Sequence, residues 1–168
     1  MTQPSLFESA SLGGPSFGNA TSDPPRRQVA EVLIYCDGGS RGNPGPSAIG
    51  AVVFDPSTDP PEVLAEVSEY IGVTTNNVAE YKALIAGLEA AAPFGARRVL
   101  VRADSKLVIE QVKGTWKVKQ PHLVPLRAEA QRLIKGFAES DLRHVPRAQN
   151  AAADALVNAA LDALANGD

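Results

Sequence analysis

The order in which strand-like and helix-like patterns follow one another is the feature that most constrains the fold of this 168-residue chain. Strand-like apolar segments at 32–36, 48–54 and 63–71 come first, separated by turns rich in Gly and Pro. Such a series predicts an antiparallel meander. Helical spacing at 81–92 then gives way to a strand at 99–103, a helix through Val108 and Val112, a helix at 122–139, a strand at 142–145 and a helix at 150–165. This order predicts an α/β fold with a mixed five-stranded sheet flanked by helices.

Composition divides the chain into a tail and one domain. Residues 1–29 contain twelve Gly, Pro or Ser and no periodicity, so we predict a disordered N-terminal tail before a domain at 30–166. A single cysteine, Cys36, excludes a disulfide framework and a multi-cysteine zinc site. We interpret Cys36 as a small buried strand residue. Apolar runs are too short for a membrane span, so we expect a cytoplasmic protein with no membrane partner. The lack of an obvious exposed apolar stripe favours a monomer.

Charge is unevenly distributed. The net charge is −3, yet the segment 113–147 has eight basic and three acidic residues, which makes it +5 against −8 for the remainder. The basic segment fits a phosphate-binding face beside a metal site. From charge alone, a solvated helix face is the better explanation of the basic segment.

Four carboxylates occupy positions where an acid is unexpected. Asp37 and Asp104 each directly follow an apolar strand, whereas Glu80 and Asp154 share helix faces with buried apolar residues. Local roles are the alternative: a turn for Asp37, a helix cap for Asp104, a capping box for Glu80 with Asn77 as N-cap, and for Asp154 a favourable acid at the positive end of a helix dipole.

Considered together, the four acids predict a metal site. Buried carboxylates without partners repel and raise one another's pKa, and divalent cations among the oxygens relieve that repulsion. Ligation by oxygen alone suits Mg²⁺ or Mn²⁺. Two such ions about 4 Å apart would serve phosphodiester hydrolysis.

Four segments carry a family resemblance. They are IYCDGGSRGNPG at 34–45, TNNVAEY at 75–81, VRADS at 101–105 and NAAADAL at 150–156. In this order and spacing they resemble ribonuclease H type 1 over residues 31–165. The resemblance implies the ribonuclease H-like fold, with the first three strands antiparallel. It also implies a metal-dependent endonuclease that hydrolyses the RNA strand of RNA/DNA hybrids, leaves 5′-phosphate and 3′-hydroxyl ends, and removes R-loops and RNA primers.

The resemblance also assigns residues. It makes four acids the catalytic metal ligands for two Mg²⁺ ions, with Mn²⁺ as a substitute: Asp37, Glu80, Asp104 and Asp154. It makes four others substrate-binding residues: Gly38, Asn43, Asn76 and Asn77. Amide side chains and backbone groups are suited to reading the 2′-hydroxyl that distinguishes RNA from DNA.

The chain departs from the family pattern at the residue that many members have as a catalytic histidine. His144 precedes Asp154 by ten residues but lies within the last predicted strand. Arg147 follows that strand, as in the family subgroup that has Arg there. Because arginine neutralises phosphate but is not a general base near neutral pH, we predict that Arg147 is functional and His144 structural.

The basic protrusion of some family members is missing, because residues 114–121 lead almost directly into the next helix. Trp116, Lys117 and Lys119 provide a smaller candidate contact to the DNA strand, by stacking and phosphate pairing. A core tryptophan with two solvated lysines is the alternative.

The tail has one motif of its own. Gln3, Leu6 and Phe7 resemble the short peptide by which bacterial replication and repair proteins bind the sliding clamp. For the domain itself, double-stranded RNA is an alternative substrate. A catalytically inactive hybrid-binding module is a further alternative, although the presence of all four acids argues against it.

Overall fold

The computed structural model describes residues 27–167, which form a mixed five-stranded sheet with helices on its faces. The strands are β1 (Glu31–Ser40), β2 (Gly45–Asp55), β3 (Glu62–Thr74), β4 (Arg98–Ala103) and β5 (Glu139–His144). Their order across the sheet is β3-β2-β1-β4-β5. The first three strands pair antiparallel, whereas β4 is parallel to both β1 and β5. This architecture confirms the predicted fold class.

Four α-helices connect and cover the strands: α1 (Asn76–Ala91), α2 (Lys106–Lys113), α3 (Val124–Ile134) and α4 (Ala151–Ala165). The main core lies between the sheet and α1, α2 and α3, where Ile34, Leu84, Val101 and Ile109 are almost completely buried. A smaller apolar cluster joins α4 to β2 through Ala48, Val157 and Leu161 on the other face. The two clusters hold α1 and α4 against opposite faces of the same central strands.

Two predicted boundaries are wrong for identifiable reasons. The first strand does not end before Asp37, because Asp37 to Ser40 stay paired with residues 47–50 of β2. The predicted helix at 122–139 is α3, which ends at Ile134. Phe137 still packs on the core, so apolar spacing continues through the turn that precedes β5.

Contacts of the N-terminal segment begin three residues before the predicted domain start at Ala30. Val29 N donates to Phe94 O at 3.1 Å, and Arg27 forms ion pairs with Asp55 and Glu62. The predicted disordered tail otherwise lies outside the described residues, as do Gln3, Leu6 and Phe7 of the clamp motif. Within 27–167, none of the helices is long and apolar enough to cross a membrane.

Candidate active site

The sheet brings Asp37 and Asp104 together at one edge. Cys36 lies opposite Ala103 in the parallel β1–β4 ladder, so the residue after each reaches the same end of the sheet. The chain leaves β4 at this point, because Ser105 caps α2 by accepting a hydrogen bond from Val108 N at 3.2 Å. The predicted proximity of Asp37 and Asp104 therefore follows from the parallel pairing of β1 and β4. The helix cap considered as an alternative role for Asp104 is instead Ser105.

Glu80 reaches the same edge from α1. Its Oε1 accepts a hydrogen bond from the backbone N–H of Gly38 at 3.0 Å. The capping box predicted with Asn77 as N-cap is wrong, since Thr75 is the N-cap and its Oγ1 accepts from Val78 N at 3.3 Å. The helix starts two residues earlier than that prediction, and the Glu80 carboxylate is free to turn towards β1.

Asp154 comes from the first turn of α4, on the opposite face of the sheet from Glu80. The helix lies against β2 at Gly50, where an added Cβ would be 2.4 Å from Ala153 O. Around the carboxylate, Asn158 Nδ2 donates to Oδ2 at 3.3 Å and Arg147 Nη2 lies 3.6 Å from Oδ1. This close contact between α4 and β2 places Asp154 in a cavity of about 580 Å³ that Asp37, Glu80 and Asp104 also line.

The acids form one charged cluster. A carboxylate oxygen from each of Asp37, Glu80 and Asp104 lies within 4.8 Å of the other two. Burial, followed by the charge of Asp104 and a hydrogen bond with Asp154, raises the pKa of Asp37 to about 7. Burial, followed by the charges of Asp37 and Asp104, raises the pKa of Glu80 to about 9.

Repelling oxygens of this kind fit a hard divalent cation. Each of the four acids offers the oxygen ligands that Mg²⁺ and Mn²⁺ prefer. Burial and then mutual repulsion raise the pKa of Asp37 and Glu80, and a cation there would replace the repulsion with attraction. The donor set therefore matches the predicted metal, and Asp154 lies beside the three-residue cluster.

Cys36 is buried next to this cluster. Burial, together with the charges of Glu80, Asp37 and Asp104, raises the pKa of its thiol well above the usual value. A thiol that stays protonated is a poor nucleophile. The structure thus supports the interpretation of Cys36 as a core residue.

Asn150 is a residue of this region that the sequence analysis did not select. Its side chain is 1% exposed, and its Nδ2 donates to the Cys36 carbonyl at 2.9 Å. The hydrogen bond ties the start of α4, which carries Asp154, to the strand that carries Asp37. The NAAAD segment at 150–154 could have indicated it, because a buried Asn just before a helix needs a partner.

Two predicted substrate-binding residues, Asn43 on the loop 41–44 and Asn76 at the start of α1, are joined by a hydrogen bond beside the acids, and together they form the asparagine loop. Asn43 Oδ1 accepts from Asn76 N at 3.0 Å, and Asn76 Oδ1 accepts from Ser40 N at 3.0 Å. Both carbonyl oxygens are thereby used to fix the loop against α1. The Nδ2 groups of these two exposed side chains have no hydrogen-bond partner among residues 27–167, so each presents a donor to solvent. Asn77 lies in the first turn of α1 and is half-buried.

Arg147 and His144 lie differently with respect to the cavity. Arg147 lines it and is exposed, whereas His144 is an exposed residue at the end of β5, opposite Ala103. The Arg147 guanidinium thus lies near Asp154, and the functional role of Arg147 and the structural role of His144 stay predictions.

Trp116, Lys117 and Lys119 lie apart from the acids, along a groove of about 520 Å³ between α2 and the segment 115–123 that precedes α3. Trp116 is 43% exposed, so the alternative of a core tryptophan is wrong. Lys106 Nζ lies 5.9 Å from the centroid of its ring, a cation–π arrangement that holds the indole at the surface.

Similar proteins have the same architecture. The family model described as "Reverse transcriptase-like" matches residues 35–160. The "Bifunctional protein Rv2228c" of Mycobacterium tuberculosis is 53% identical over 80% of this chain, and the chain spans only 36% of its length. The "Ribonuclease HI" of Halobacterium salinarum is 46% identical over 89% of this chain and 73% of its own length.

Solved structures extend the similarity to a complex. The crystal structure of RNase H1 from Halobacterium salinarum superposes with a TM-score of 0.74 at 48% identity, covering 79% of this chain and 98% of that one. LC11-RNase H1 in complex with an RNA/DNA hybrid has a TM-score of 0.71 at 44% identity, covering 78% and 96%.

Proposed function

Because the chain belongs to the ribonuclease HI family, we propose that it is a metal-dependent endonuclease that hydrolyses the RNA strand of RNA/DNA hybrids. The observation that carries the proposal is the carboxylate cluster, in which three acids from β1, α1 and the end of β4 have oxygens within 4.8 Å of one another. A binding module would gain nothing from repelling carboxylates in a site for a polyanion. A metal-dependent nuclease requires them.

Four acids would hold two Mg²⁺ ions, for which Mn²⁺ would substitute: Asp37, Glu80, Asp104 and Asp154. When bound, the ions would activate a water near neutral pH and stabilise the leaving oxygen, which yields 5′-phosphate and 3′-hydroxyl ends. The chain's own part is to fix the acids. Gly38 N orients the Glu80 carboxylate, and Asn158 Nδ2 orients that of Asp154.

Arg147 would neutralise phosphate charge beside Asp154. Its guanidinium is 81% exposed and only 3.6 Å from the Asp154 carboxylate, so it is accessible to a substrate phosphate. Arginine remains protonated near neutral pH and presents fixed donors to phosphate oxygens. We assign it no part in proton transfer.

The asparagine loop would recognise the RNA strand. The carbonyl oxygens of Asn43 and Asn76 are already used within the protein, which leaves their amide donors facing solvent. Donors held rigidly at the minor groove suit the 2′-hydroxyl and base acceptors. Gly38 and Asn77 complete the surface that we assign to this strand.

Trp116 and the two lysines would bind the DNA strand. The exposed indole offers a face on which a deoxyribose or base stacks, and Lys117 and Lys119 offer phosphate contacts from the same groove. This groove is smaller than a dedicated basic protrusion. With fewer phosphate contacts than a protrusion supplies, hybrid binding should be weaker and its dependence on salt shallower.

A substrate panel tests the proposed function. One labelled RNA sequence is presented as a hybrid with DNA, as double-stranded RNA and as a single strand, beside a DNA duplex, with Mg²⁺, Mn²⁺ or EDTA. We expect cutting of the RNA in the hybrid alone, with either metal and not with EDTA. Equal cutting of double-stranded RNA would replace hybrid specificity by the broader alternative, and hybrid binding without cutting would leave a binding module.

In the cell, this activity would remove R-loops and RNA primers. The tail motif of Gln3, Leu6 and Phe7 would bring the enzyme to the sliding clamp. The tail is tested by pull-down of purified clamp with the full chain and with the Leu6→Ala, Phe7→Ala variant. Clamp retained by the full chain and lost by the variant supports docking. Clamp retained by neither contradicts it.

A further inference from the structure

Arg41 lies in the same cavity as the carboxylates but away from them. The cavity has a volume of about 580 Å³, and among its described lining residues the cations are Arg41 and Arg147. Arg147 is next to Asp154. Arg41 is four residues beyond Asp37 along nearly extended chain, which corresponds to about 13 Å at about 3.3 Å per residue. Asp154 and Asp162, the partners of Arg147 and Arg41, are eight residues apart on α4, so the two guanidinium groups lie about 12 Å apart along that helix.

The backbone around Arg41 is held by several contacts. Arg41 N donates to Pro46 O at 2.8 Å, and the preceding residue, Ser40, is bonded through its N–H to Asn76. The loop closes so tightly that a Cβ at Gly45 would be 2.3 Å from Arg41 O. The guanidinium therefore projects from a fixed point beside the asparagine loop.

The ion pair of Arg41 is exposed and exchangeable. Its Nη2 lies 2.7 Å from Asp162 Oδ1 of α4, with side-chain exposures of 45% for Arg41 and 62% for Asp162. Exposed pairs of this kind contribute little net stability, so the pair does not explain why a cation stands in the cavity. A guanidinium can bind a phosphate through two parallel hydrogen bonds, whereas a single Nη2–Oδ1 contact joins Arg41 to Asp162.

We propose that Arg41 binds a non-scissile phosphate of the hybrid, for which it exchanges its contact with Asp162. Its position about two helical turns along α4 from the Arg147 guanidinium points to a phosphate other than the one at the metal ligands. Asp162 is then an intramolecular competitor of the substrate. This inference rests on the proposed function, because it assumes that the cavity accepts a hybrid.

Binding measurements with two variants of opposite charge test the proposal. Hybrid Kd is measured by fluorescence anisotropy with Mg²⁺ in an Asp104→Asn background, which avoids turnover. Arg41→Ala should raise Kd about tenfold and reduce the salt slope by about one. Asp162→Asn should lower Kd about threefold, because it frees the guanidinium.

The pair of Arg97 and Glu139 supplies matched controls. Its atoms lie 2.8 Å apart with similar exposure, at the other end of β4 and β5 from the acids. Arg97→Ala and Glu139→Gln change net charge by the same amounts and should leave Kd within twofold. The proposal is overturned if Arg41→Ala does no more than Arg97→Ala, or if Asp162→Asn weakens binding.

Neutral linkages then locate the phosphate. One phosphate at a time is replaced by an uncharged methylphosphonate on either strand. Each hybrid is then bound to the Asp104→Asn protein and to the Asp104→Asn, Arg41→Ala protein. We expect one non-scissile position whose replacement weakens binding to the first and not to the second. Equal losses at every position in both proteins would contradict the proposal. Because binding is measured here and cleavage in the substrate panel, the two hypotheses fail separately.

Discussion

The backbone N–H of Gly38 donates a hydrogen bond to Glu80 Oε1 at 3.0 Å, across the contact between β1 and α1. An added Cβ at Gly38 would be 2.2 Å from Ala79 O and 2.6 Å from Glu80 N. Only glycine allows the helix to approach the strand this closely. One residue thus provides both the space and the donor that place the Glu80 carboxylate beside Asp37.

Gly38→Ala should therefore separate α1 from β1. We expect a loss of about 1–3 kcal/mol in stability from overpacking and at least a tenfold loss of hybrid cleavage, because misplaced catalytic groups are costly. The neighbouring substitution Gly39→Ala is the control, since its Cβ would lie an ordinary 3.7 Å from Val157 Cγ1. Thermal unfolding and kcat of the two variants test this. Equal effects of both would contradict the close-contact explanation.

Glu80→Gln should stabilise the metal-free protein, and more so as pH rises towards 9. The folded-state pKa of Glu80, about 9, lies above its ordinary unfolded value, so between these values the folded protein holds a proton that the unfolded chain releases. The contribution of the Glu80 proton to wild-type stability is therefore fully present below about pH 4.5 and is lost as pH rises from there to about 9. Glutamine has no such proton. We expect a difference on the order of 2–3 kcal/mol at pH 7.

Thermal unfolding in EDTA from pH 4.5 to 9 measures this effect. The melting curves of wild type and Glu80→Gln should converge near pH 4.5 and separate at higher pH. Addition of Mg²⁺ should stabilise the wild type more than the variant. If the melting temperatures of wild type and Glu80→Gln change with pH in parallel without metal, the pKa of Glu80 is not raised in the folded protein.

Asn150→Ala should loosen the connection between Asp37 and Asp154. It leaves the Cys36 carbonyl without its donor, at a cost of about 1–3 kcal/mol, or about 2–4 °C in Tm per kcal/mol for a domain of this size. Asn150→Asp should be worse at pH 8 and recover at acidic pH, where the protonated acid donates again. Asn166→Ala, at the exposed end of α4, is the control. An unchanged Tm in Asn150→Ala would remove Asn150 from this role.

Arg147→Ala should lower kcat about tenfold through the loss of a charge-assisted phosphate contact. His144→Ala should change kcat less than twofold, because His144 lies at the strand end and does not line the cavity. Steady-state cleavage of the hybrid by the two variants distinguishes them. A larger effect at His144 would reverse the assignment.

The sequence predicts what depends on local pattern and on parallel pairing. Apolar strands followed by an acid were sufficient to place Asp37 and Asp104 together, because neighbouring parallel strands end at the same edge. Long-range contacts escaped prediction. The N-cap is Thr75 and not Asn77, since Asn76 is held by Asn43 from a loop 33 residues earlier.

Asn150 was missed for the same reason, because its partner on β1 is 114 residues away. The extension of β1 past Asp37 was missed because two glycines and a serine carry no strand pattern of their own. Residues 38–40 form a strand because they pair with β2.

End-resolved product mapping with wild type and Asp104→Asn measures whether the carboxylate cluster cuts the RNA strand of a hybrid. We predict that the wild type with Mg²⁺ cuts the RNA strand internally, leaves 5′-phosphate and 3′-hydroxyl ends and spares the DNA strand. Asp104→Asn, folded to the same Tm or higher, should lose this activity by at least a thousandfold while still binding the hybrid. Undiminished cleavage by Asp104→Asn, or no cleavage by the wild type with either Mg²⁺ or Mn²⁺, would contradict the account.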